Sequence, residues 1–315
     1  MIKVFCTAPI NRFLKELKIP PNLDLRVIEY ATGKDLTAGL NWCDAHISNA
    51  RVQIDSSILS EAKNIKYIFQ PAIGSENLDK SIYSSKIKVD GLWNQIEFRK
   101  NHNTTAELAI SLILTAIKNF RALTDDVKTS GSWDNRRYFI RDIQHCKVGI
   151  IGFGIVGQGL RKLLKGFGCD VMAYDPYLED KIFLDSDVQK VKLEQLIKKA
   201  DIISLHCPLN SETYKMLNNE SCSNMKQNTV IVNCARGGVV CEEMVLDKLA
   251  KKTLGAYAAD VLEGENPAGV ASHNLVQAAE KYNNLIVTPH VGGSSYAYMR
   301  SIFQLAFDRV VEEIV

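Results

Sequence analysis

The sequence predicts an α/β fold of two domains, each built on a doubly wound parallel sheet. Its 315 residues correspond to two domains at roughly 150 residues per domain. Apolar runs of strand length alternate with amphipathic segments, which is typical of parallel strands joined by crossover helices. Hydrophobic residues make up 46% of the chain and charged residues 23%, a globular balance that excludes wholesale disorder.

Charge and cysteine usage narrow the class of protein further. The formal net charge is only +2, which gives no basic surface for nucleic acid. No apolar run reaches the ~18 residues of a membrane span, and the N-terminus has the pattern of a buried strand rather than of a signal peptide. The eight cysteines are scattered and form no CxxC pair. We therefore expect a soluble cytoplasmic protein with reduced thiols and no nucleic-acid or membrane partner.

The N-terminal part of the chain has the pattern of a first parallel sheet. Five short apolar runs are separated by turn residues or by amphipathic segments, one of which has helical spacing at residues 57–63. The predicted strands are residues 2–6, 26–29, 45–48, 65–70 and 86–89.

A long apolar helix is predicted at residues 104–120. Thr104 and Glu107 have the spacing of a capping box, which marks a helix N-terminus. The helix is apolar nearly all round, so we expect it to be buried between domains or subunits and infer a homodimer. The polar stretch at residues 124–141 is predicted to be an arm or linker.

A second series of strands and helices begins after this stretch. Helices are predicted between its strands, and a last helix is predicted at residues 297–311. The predicted strands are residues 147–151, 170–174, 202–206, 230–233, 255–260 and 285–288.

A glycine-rich loop follows the first strand of this second series. Gly152, Gly154 and Gly157 form GxGxxG between that strand and a predicted helix at residues 158–167. In this context the glycines allow a tight turn, the approach of a pyrophosphate and close helix packing. Asp175 ends the next strand, where a carboxylate binds a ribose hydroxyl and favours NAD over NADP. The alternatives are a glycine turn without a ligand and a related nucleotide site, such as one for S-adenosyl compounds.

Three further polar residues follow later strands. Arg236, Glu265 and His290 come after the strands predicted at 230–233, 255–260 and 285–288. Ligands of parallel sheets bind outside the carboxyl ends of the strands. Taken singly, each residue is more often a surface charge or a structural donor, but together they supply a cation, a carboxylate and an imidazole at one edge.

The motifs of the second series resemble the D-isomer-specific 2-hydroxyacid dehydrogenases, the family that includes phosphoglycerate, glycerate and D-lactate dehydrogenases. The resemblance covers most of residues 65–300. The motifs are GFGIVGQ at 152–158, YDPY at 174–177, ADIISLHCPLNSET at 200–213, NCARGGVV at 233–240, AADVLEGE at 258–265 and TPHVGGS at 288–294. The resemblance implies a flavodoxin-like substrate domain at residues 1–98 and 293–315 and a Rossmann NAD-binding domain at residues 99–292.

The resemblance also implies a role for each of the three polar residues. Arg236 holds the substrate carboxylate or polarises the 2-oxo oxygen, since its guanidinium presents a fixed fork of donors. His290 gives a proton to that oxygen as hydride arrives from the cofactor NAD(H). Glu265 orients the imidazole and favours its charged form. No metal is required.

Cofactor and substrate contacts are implied as well. The implied cofactor contacts are Gly152, Phe153, Gly154, Ile155, Val156, Gly157, Asp175, His206, Cys207, Pro208, Cys234 and Asp260. The implied substrate contacts are Ala72, Ile73, Gly74, Arg236 and His290. Ala72 stands where the family has a glycine, so we expect an altered turn, and residues 94–100 look like an insertion. Because the chain ends soon after its last predicted helix, we expect no regulatory domain.

The expected reaction is the reversible NAD-linked reduction of a 2-oxo acid to a D-2-hydroxy acid. A phosphoglycerate or a glyoxylate/hydroxypyruvate substrate is an alternative within the class, although Arg51 is the only cation expected near the substrate turn. An NAD-sensing regulatory protein and a formate-oxidising enzyme are alternatives of other kinds. A pure sensor has no need of an acid–base pair, so Arg236, Glu265 and His290 favour the enzyme.

Overall fold

The computed structural model describes residues 1–265 and 269–314. Within these residues all paired strands run parallel, which confirms the predicted α/β class. The strands are β1 (Ile2–Cys6), β2 (Leu23–Val27), β3 (Ala45–Ile47), β4 (Tyr67–Gln70), β5 (Lys88–Gly91), β6 (Lys147–Ile151), β7 (Asp170–Tyr174), β8 (Gln189–Lys190), β9 (Ile202–Leu205), β10 (Thr229–Asn233), β11 (Leu254–Ala259) and β12 (Leu285–Val287). The α-helices are α1 (Gly33–Trp42), α2 (Ser56–Glu61), α3 (Ile96–Lys100), α4 (Thr104–Ile117), α5 (Phe120–Ser130), α6 (Ile155–Lys165), α7 (Asp180–Asp185), α8 (Leu193–Lys199), α9 (Glu242–Ala250), α10 (Asn274–Lys281) and α11 (Tyr296–Ile314).

The chain divides into two compact units. The first contains Met1–His102 and the C-terminal segment from Ser294, and the second contains Asn103–Gly293. The predicted domain boundaries were at residues 98 and 292, close to this division. Residues 266–268 and 315 of the predicted domains lie outside the described residues. That the first unit takes the substrate and the second takes NAD stays a prediction at this point.

The first unit is built on a five-stranded sheet in the order β2-β1-β3-β4-β5. This is the flavodoxin-type order, in which the chain winds first to one side of β1 and then to the other. In the central strand β1, the side chains of Val4, Phe5 and Cys6 are fully buried. Phe303 and Phe307 of α11 pack on one face of the sheet, and α1 and α2 pack on the other. The C-terminal helix therefore completes the core of the first unit.

The second unit is built on a seven-stranded sheet in the order β12-β11-β10-β9-β6-β7-β8. The chain runs from β6 to β8 in one direction and then, from β9 onward, in the other. The crevice at such a reversal, outside the carboxyl ends of the strands, is where doubly wound sheets bind ligands. α4 and α6 cover one face, and α8, α9 and α10 cover the other.

The long helix of the second unit differs from its prediction. It ends at Ile117, because Asn119 adopts a left-handed conformation with φ of 51°, and α5 then begins at Phe120. Most of the helix α5 lies in the stretch predicted as an arm or linker. The predicted capping box is wrong, since Asn103 is the N-cap and its side chain makes no capping hydrogen bond.

Two smaller differences concern short elements. Residues 94–100, interpreted as an insertion, contain the helix α3, and the two-residue strand β8 was not predicted. Across residues 1–265 and 269–314, no helix is both long and apolar enough to cross a membrane.

A fully buried histidine lies in the middle of the first sheet. Nδ1 of His46 donates to the carbonyl oxygen of Phe5 at 2.9 Å, and the two rings stack with centroids 5.3 Å apart. Burial lowers the pKa of His46 from 6.5 to about 4. The folded state therefore holds this imidazole neutral at a pH where the unfolded chain already binds a proton. The stabilisation is complete above pH 6.5 and is lost as the pH falls toward 4.

We expect the unfolding free energy of the first unit to fall between pH 7 and pH 5, by up to ~2 kcal/mol from His46. Urea unfolding at the two pH values measures this difference. His46→Asn keeps an N–H donor but does not titrate, so the difference should shrink. The matched control is His145→Asn, at an exposed histidine. This substitution should leave the difference in unfolding free energy between the two pH values unchanged. An equal pH dependence in His46→Asn and in the wild type would contradict the assignment.

Candidate active site

The three predicted polar residues lie beyond the carboxyl ends of three adjacent strands. Arg236 follows β10, Glu265 follows β11 and His290 follows β12, and these strands are neighbours in the sheet. The prediction that they share one edge follows from the parallel order, because all carboxyl ends of a parallel sheet lie on the same side.

His290 and Glu265 are in direct contact. Nδ1 of His290 lies 2.5 Å from Oε1 of Glu265. The two side chains are 42% and 39% exposed, so a ligand can reach them. His290 has a left-handed φ of 55°, an unusual conformation for a residue with a Cβ. Such strain persists only where the surrounding structure enforces it.

The ionisation of Glu265 is set by opposing effects. Burial raises its pKa, but the hydrogen bond from His290 and the charges of His290 and Arg236 outweigh burial, and the pKa is lowered. Glu265 is therefore a carboxylate at neutral pH. The contact with this carboxylate fixes the orientation of the imidazole ring.

The loop that carries His290 is fastened to Asp260. This carboxylate is almost fully buried and accepts hydrogen bonds from Thr288 Oγ1 at 2.6 Å, Val291 N at 2.9 Å and Gly292 N at 2.8 Å. Thr288 precedes His290 in the sequence, and Val291 and Gly292 follow it, so the loop is bonded to Asp260 on both sides of His290. The loop therefore has little freedom, which accounts for the strained backbone of His290. Whether Asp260 also contacts nicotinamide stays a prediction.

The turn that carries Arg236 is fixed by buried contacts of its backbone. Asn233 accepts from Ala235 N at 3.0 Å and donates to the Arg236 carbonyl at 3.0 Å. A Cβ added at Gly237 would lie 1.9 Å from the carbonyl carbon of Leu262, in the turn that leads to Glu265. The turns of Arg236 and Glu265 therefore pack backbone against backbone.

The glycine loop has the steric requirements of a phosphate-binding turn. Gly152 has a φ of 86°, and a Cβ there would lie 2.5 Å from Cys207 N. A Cβ at Gly157 would lie 2.3 Å from the Gly152 carbonyl oxygen, so α6 packs closely on β6. A Cβ at Gly154 would meet no atom within 4 Å, and no side chain caps α6. Open space at an uncapped helix N-terminus fits a pyrophosphate.

A hydrogen bond joins the carboxylate of Asp175 to the backbone of Phe153 in this loop. Asp175 accepts from Phe153 N at 2.9 Å and from Tyr177 N at 3.1 Å, which leaves lone pairs for a ribose hydroxyl. Phe153 has a fully buried ring that stacks on Phe183, and its carbonyl accepts from Gln158. The side chain of Phe153 is therefore part of the core. Ile155 and Val156 begin α6 and are half-buried.

The remaining candidates for cofactor contacts follow β9 and β10. Nε2 of His206 lies 2.9 Å from Ser204 Oγ, whereas its buried Nδ1 has no hydrogen-bond partner in the described part of the chain. Burial lowers the pKa of His206 to about 4, so its ring is neutral. Burial also raises the pKa of Cys207 to about 11 and that of Cys234 to about 12, so both thiols stay protonated. Pro208 is exposed.

The predicted substrate turn lies in the first unit, directly after β4. Ile73 is exposed, while Ala72 and Gly74 are half-buried. The turn is held from below by buried amides, since Gln70 Nε2 donates to the Gly74 carbonyl at 3.2 Å and to Asn77 Oδ1 at 2.7 Å. Its role in substrate binding stays a prediction.

Sequence reasoning assigned no role to Asn233 or Thr288, although both stand in quoted motifs. Asn233 could have been found, because an Asn at a strand end commonly bonds the backbone two residues on. Thr288 gave no such signal, since its partner Asp260 is distant in the sequence.

Comparison with known proteins identifies the family. The family model described as "D-isomer specific 2-hydroxyacid dehydrogenase, NAD binding domain" matches residues 110–292, more than half of the chain. A D-3-phosphoglycerate dehydrogenase of Methanocaldococcus jannaschii is 29% identical over 299 residues, which are 94% of this chain and 54% of that protein. A hydroxypyruvate reductase of Thermotoga maritima is 29% identical over 298 residues, 95% of this chain and 87% of that protein. The chain thus spans about half the length of the phosphoglycerate dehydrogenase.

Solved structures share the fold. A D-2-hydroxyisocaproate dehydrogenase superposes with a TM-score of 0.87 at 20% identity, covering 100% of this chain and 97% of that one. The D-lactate dehydrogenase of Aquifex aeolicus, solved with NAD and lactic acid, has a TM-score of 0.81 at 21% identity, covering 99% and 95%.

The matched residues include the glycine loop, Asp175 and the three polar residues at the strand ends. The sequence resemblance is thereby confirmed, and NAD is the cofactor of this domain. The chain belongs to the D-isomer specific 2-hydroxyacid dehydrogenases, a family of NAD-dependent oxidoreductases.

Proposed function

We propose that the protein interconverts a small 2-oxo acid and the corresponding D-2-hydroxy acid, with Arg236, Glu265 and His290 as its catalytic residues. The observation that carries the proposal is the contact between His290 and Glu265, 2.5 Å apart at the edge of the sheet that also bears the glycine loop. An acid–base pair in that place fits proton transfer to or from a substrate oxygen. An NAD sensor has no use for it.

Each catalytic residue has one task. His290 engages Glu265 through Nδ1, so Nε2 gives the proton to the oxo oxygen in reduction and takes it back in oxidation. Glu265 holds the imidazole ring of His290 in place. Arg236 binds the substrate carboxylate or polarises the oxo group through its planar fork of donors. When bound, NADH supplies the hydride for the carbon of the oxo group.

The chain's own residues also account for how NAD is held. Open space at Gly154 and the uncapped N-terminus of α6 receive the pyrophosphate. Asp175 binds the adenosine ribose and repels a 2′-phosphate. Nδ1 of His206, which has no hydrogen-bond partner among residues 1–265 and 269–314, offers a further hydrogen bond at the end of β9. Pro208, Cys234 and Asp260 complete the proposed contacts.

The substrate is proposed to be an unphosphorylated 2-oxo acid of the glyoxylate, hydroxypyruvate or pyruvate type. The relative that is named hydroxypyruvate reductase is matched over most of its length, whereas the named phosphoglycerate dehydrogenase is matched over 54%. Arg51 is the only cation of residues 48–51, the segment expected to face the proposed substrate turn, which fits a substrate without a phosphate.

We expect NADH oxidation at 340 nm with at least one member of a panel of 2-oxo acids. The panel is glyoxylate, hydroxypyruvate, phosphohydroxypyruvate, pyruvate, 2-oxoglutarate and branched-chain oxo acids. His290→Ala should lower kcat by ~10²–10⁴ while NADH still binds, because only the proton donor is lost. His145→Ala, at an exposed histidine, is the control. Full turnover by His290→Ala would remove this residue from the mechanism, and no turnover by the wild type would favour the sensor.

Asp175→Ala is expected to narrow the preference for NAD over NADP. One hydrogen bond to a charged acceptor is worth ~1.5–3 kcal/mol, so kcat/KM with NAD should fall by about tenfold or more. With NADP, kcat/KM should rise because the repulsion of the 2′-phosphate is gone. Asp180→Ala, at an exposed acid on α7, serves as the control. An unaltered ratio would show that cofactor specificity lies elsewhere.

We further propose that the protein is a homodimer. α5 buries none of its residues, and large apolar side chains between residues 120 and 140 are exposed. Trp133 is 92% and Phe139 is 99% exposed, which a soluble monomer rarely tolerates in one segment. A second copy with the same patch would cover both surfaces at once.

The combined variant Trp133→Glu/Phe139→Glu is expected to be a monomer where the wild type is a dimer, because buried charges oppose association. Light scattering after gel filtration at several protein concentrations measures the mass. Leu184→Glu on α7, also highly exposed, should leave the dimer intact. A dimer in the double variant would place the interface elsewhere.

We propose a cytoplasmic location because the cysteines of the chain are free thiols. All eight carry free thiols, which persist in a reducing compartment.

A further inference from the structure

A second Glu–His pair lies beside the proposed active site and takes no part in the mechanism. Glu242 is the first residue of α9, and His273 is the N-cap of α10. Their side chains are only 11% and 16% exposed, and His273 Nε2 lies 3.3 Å from Glu242 Oε2. Buried polar groups are normally hydrogen-bonded, so the partners of these two side chains show what the pair does.

Both residues hold the backbone of the same residue, Glu263. Glu263 N donates to Glu242 Oε1 at 2.9 Å. The Glu263 carbonyl accepts from His273 Nε2 at 3.1 Å. Leu275 N donates to His273 Nδ1 at 3.3 Å, so the ring proton is on Nε2. The pair therefore clamps Glu263 by its N–H and by its carbonyl.

The clamped residue lies in the turn that carries Glu265. Leu262 N donates to Glu265 Oε2 at 3.4 Å, so the carboxylate folds back onto the residue before the clamp. The side chain of Glu263 is held as well, since Tyr214 OH donates to its Oε1 at 2.9 Å. On its other side, the turn meets the backbone of Gly237. The position of Glu265 against His290 thus depends on where Glu263 is fixed.

We propose that Glu242 and His273 are positioning residues that hold Glu265 in register with His290. The proposal rests on the proposed function, in which Glu265 orients the ring of His290. Glu242 Oε1 accepts from Glu263 N, and Glu242 Oε2 lies 3.3 Å from His273 Nε2, so each carboxylate oxygen faces an N–H group. A glutamine at this position must turn its NH2 group toward one of the two donors. The requirement for a carboxylate is therefore chemical and not only steric.

Glu242→Gln is the first test, and Glu243→Gln is its matched control. Glu243 is the next residue of α9, is 73% exposed on its side chain and lies 3.8 Å from Lys215 rather than at the clamp. We expect kcat of Glu242→Gln to fall by ~10–100-fold, the effect of a small misplacement of a catalytic group. The Kd for NADH should stay within about twofold of the wild type, and Glu243→Gln should match the wild type. A loss of NADH affinity as large as the loss of kcat would overturn the positioning role.

A double variant shows whether Glu242 acts through Glu265. If it does, adding Glu242→Gln to Glu265→Gln should lower kcat no further, because the carboxylate that Glu242 positions is already gone. The kcat of the double variant should then equal that of Glu265→Gln alone. Multiplied losses would mean that Glu242 supports activity by another route.

Amide hydrogen exchange tests the clamp without any turnover. The segment 262–265 should exchange about tenfold faster in Glu242→Gln than in Glu243→Gln or the wild type, because the NH2 group of the glutamine opposes one of the two N–H groups of the clamp. Equal exchange would overturn the proposal. A wild type that reduces no 2-oxo acid would instead remove the proposed function and leave this result interpretable.

A second pair of variants applies if Glu242→Gln does not fold. His273→Gln keeps an N–H donor for the Glu263 carbonyl, whereas His273→Leu removes it. We expect kcat and protection of the 262–265 segment to be retained in the glutamine variant and lost in the leucine variant. Identical behaviour of the two would contradict the clamp.

Discussion

The buried carboxylate of Asp260 is the constraint on which the geometry of the site depends. It lies at the end of β11 and has no solvent to compensate its charge, so it requires hydrogen bonds from the protein. Thr288, Val291 and Gly292 supply them. The loop after β12 meets that demand through two backbone N–H groups and one hydroxyl, which flank His290 in the sequence. His290 is therefore carried into a left-handed backbone that its own side chain disfavours, and the strain is offset by the satisfied carboxylate.

Features with local steric causes were predictable from the sequence. The glycine loop is an example, because a Cβ at Gly152 or at Gly157 would collide with neighbouring backbone, whereas Gly154 leaves open space at the helix N-terminus. The strand-end positions of Arg236, Glu265 and His290 were predictable for a topological reason. Parallel strands bring their carboxyl ends to one edge, so residues distant in the sequence become neighbours without any pairing signal of their own.

Features decided by tertiary contacts were not predictable. The break between α4 and α5 follows from the left-handed Asn119, which an apolar periodicity does not reveal. Phe153 stands in the glycine motif, but its ring belongs to the core beneath it. Glu242 and His273 had no signal at all, since their partner is a backbone unit of another turn. A sequence records that a residue is polar, whereas its donors are found only after the chain has folded.

The close approach of Gly237 to Leu262 has a consequence for how such an enzyme diversifies. Two backbones in van der Waals contact cannot be moved apart or together by exchanging side chains. The spacing between the turn of Arg236 and the turn of Glu265 is thus a fixed property of the second unit. Under the proposed function, selection for a longer, shorter or more polar substrate cannot change the spacing of these two turns. It must act on the parts of the chain outside them, where side chains can vary without disturbing the chemistry.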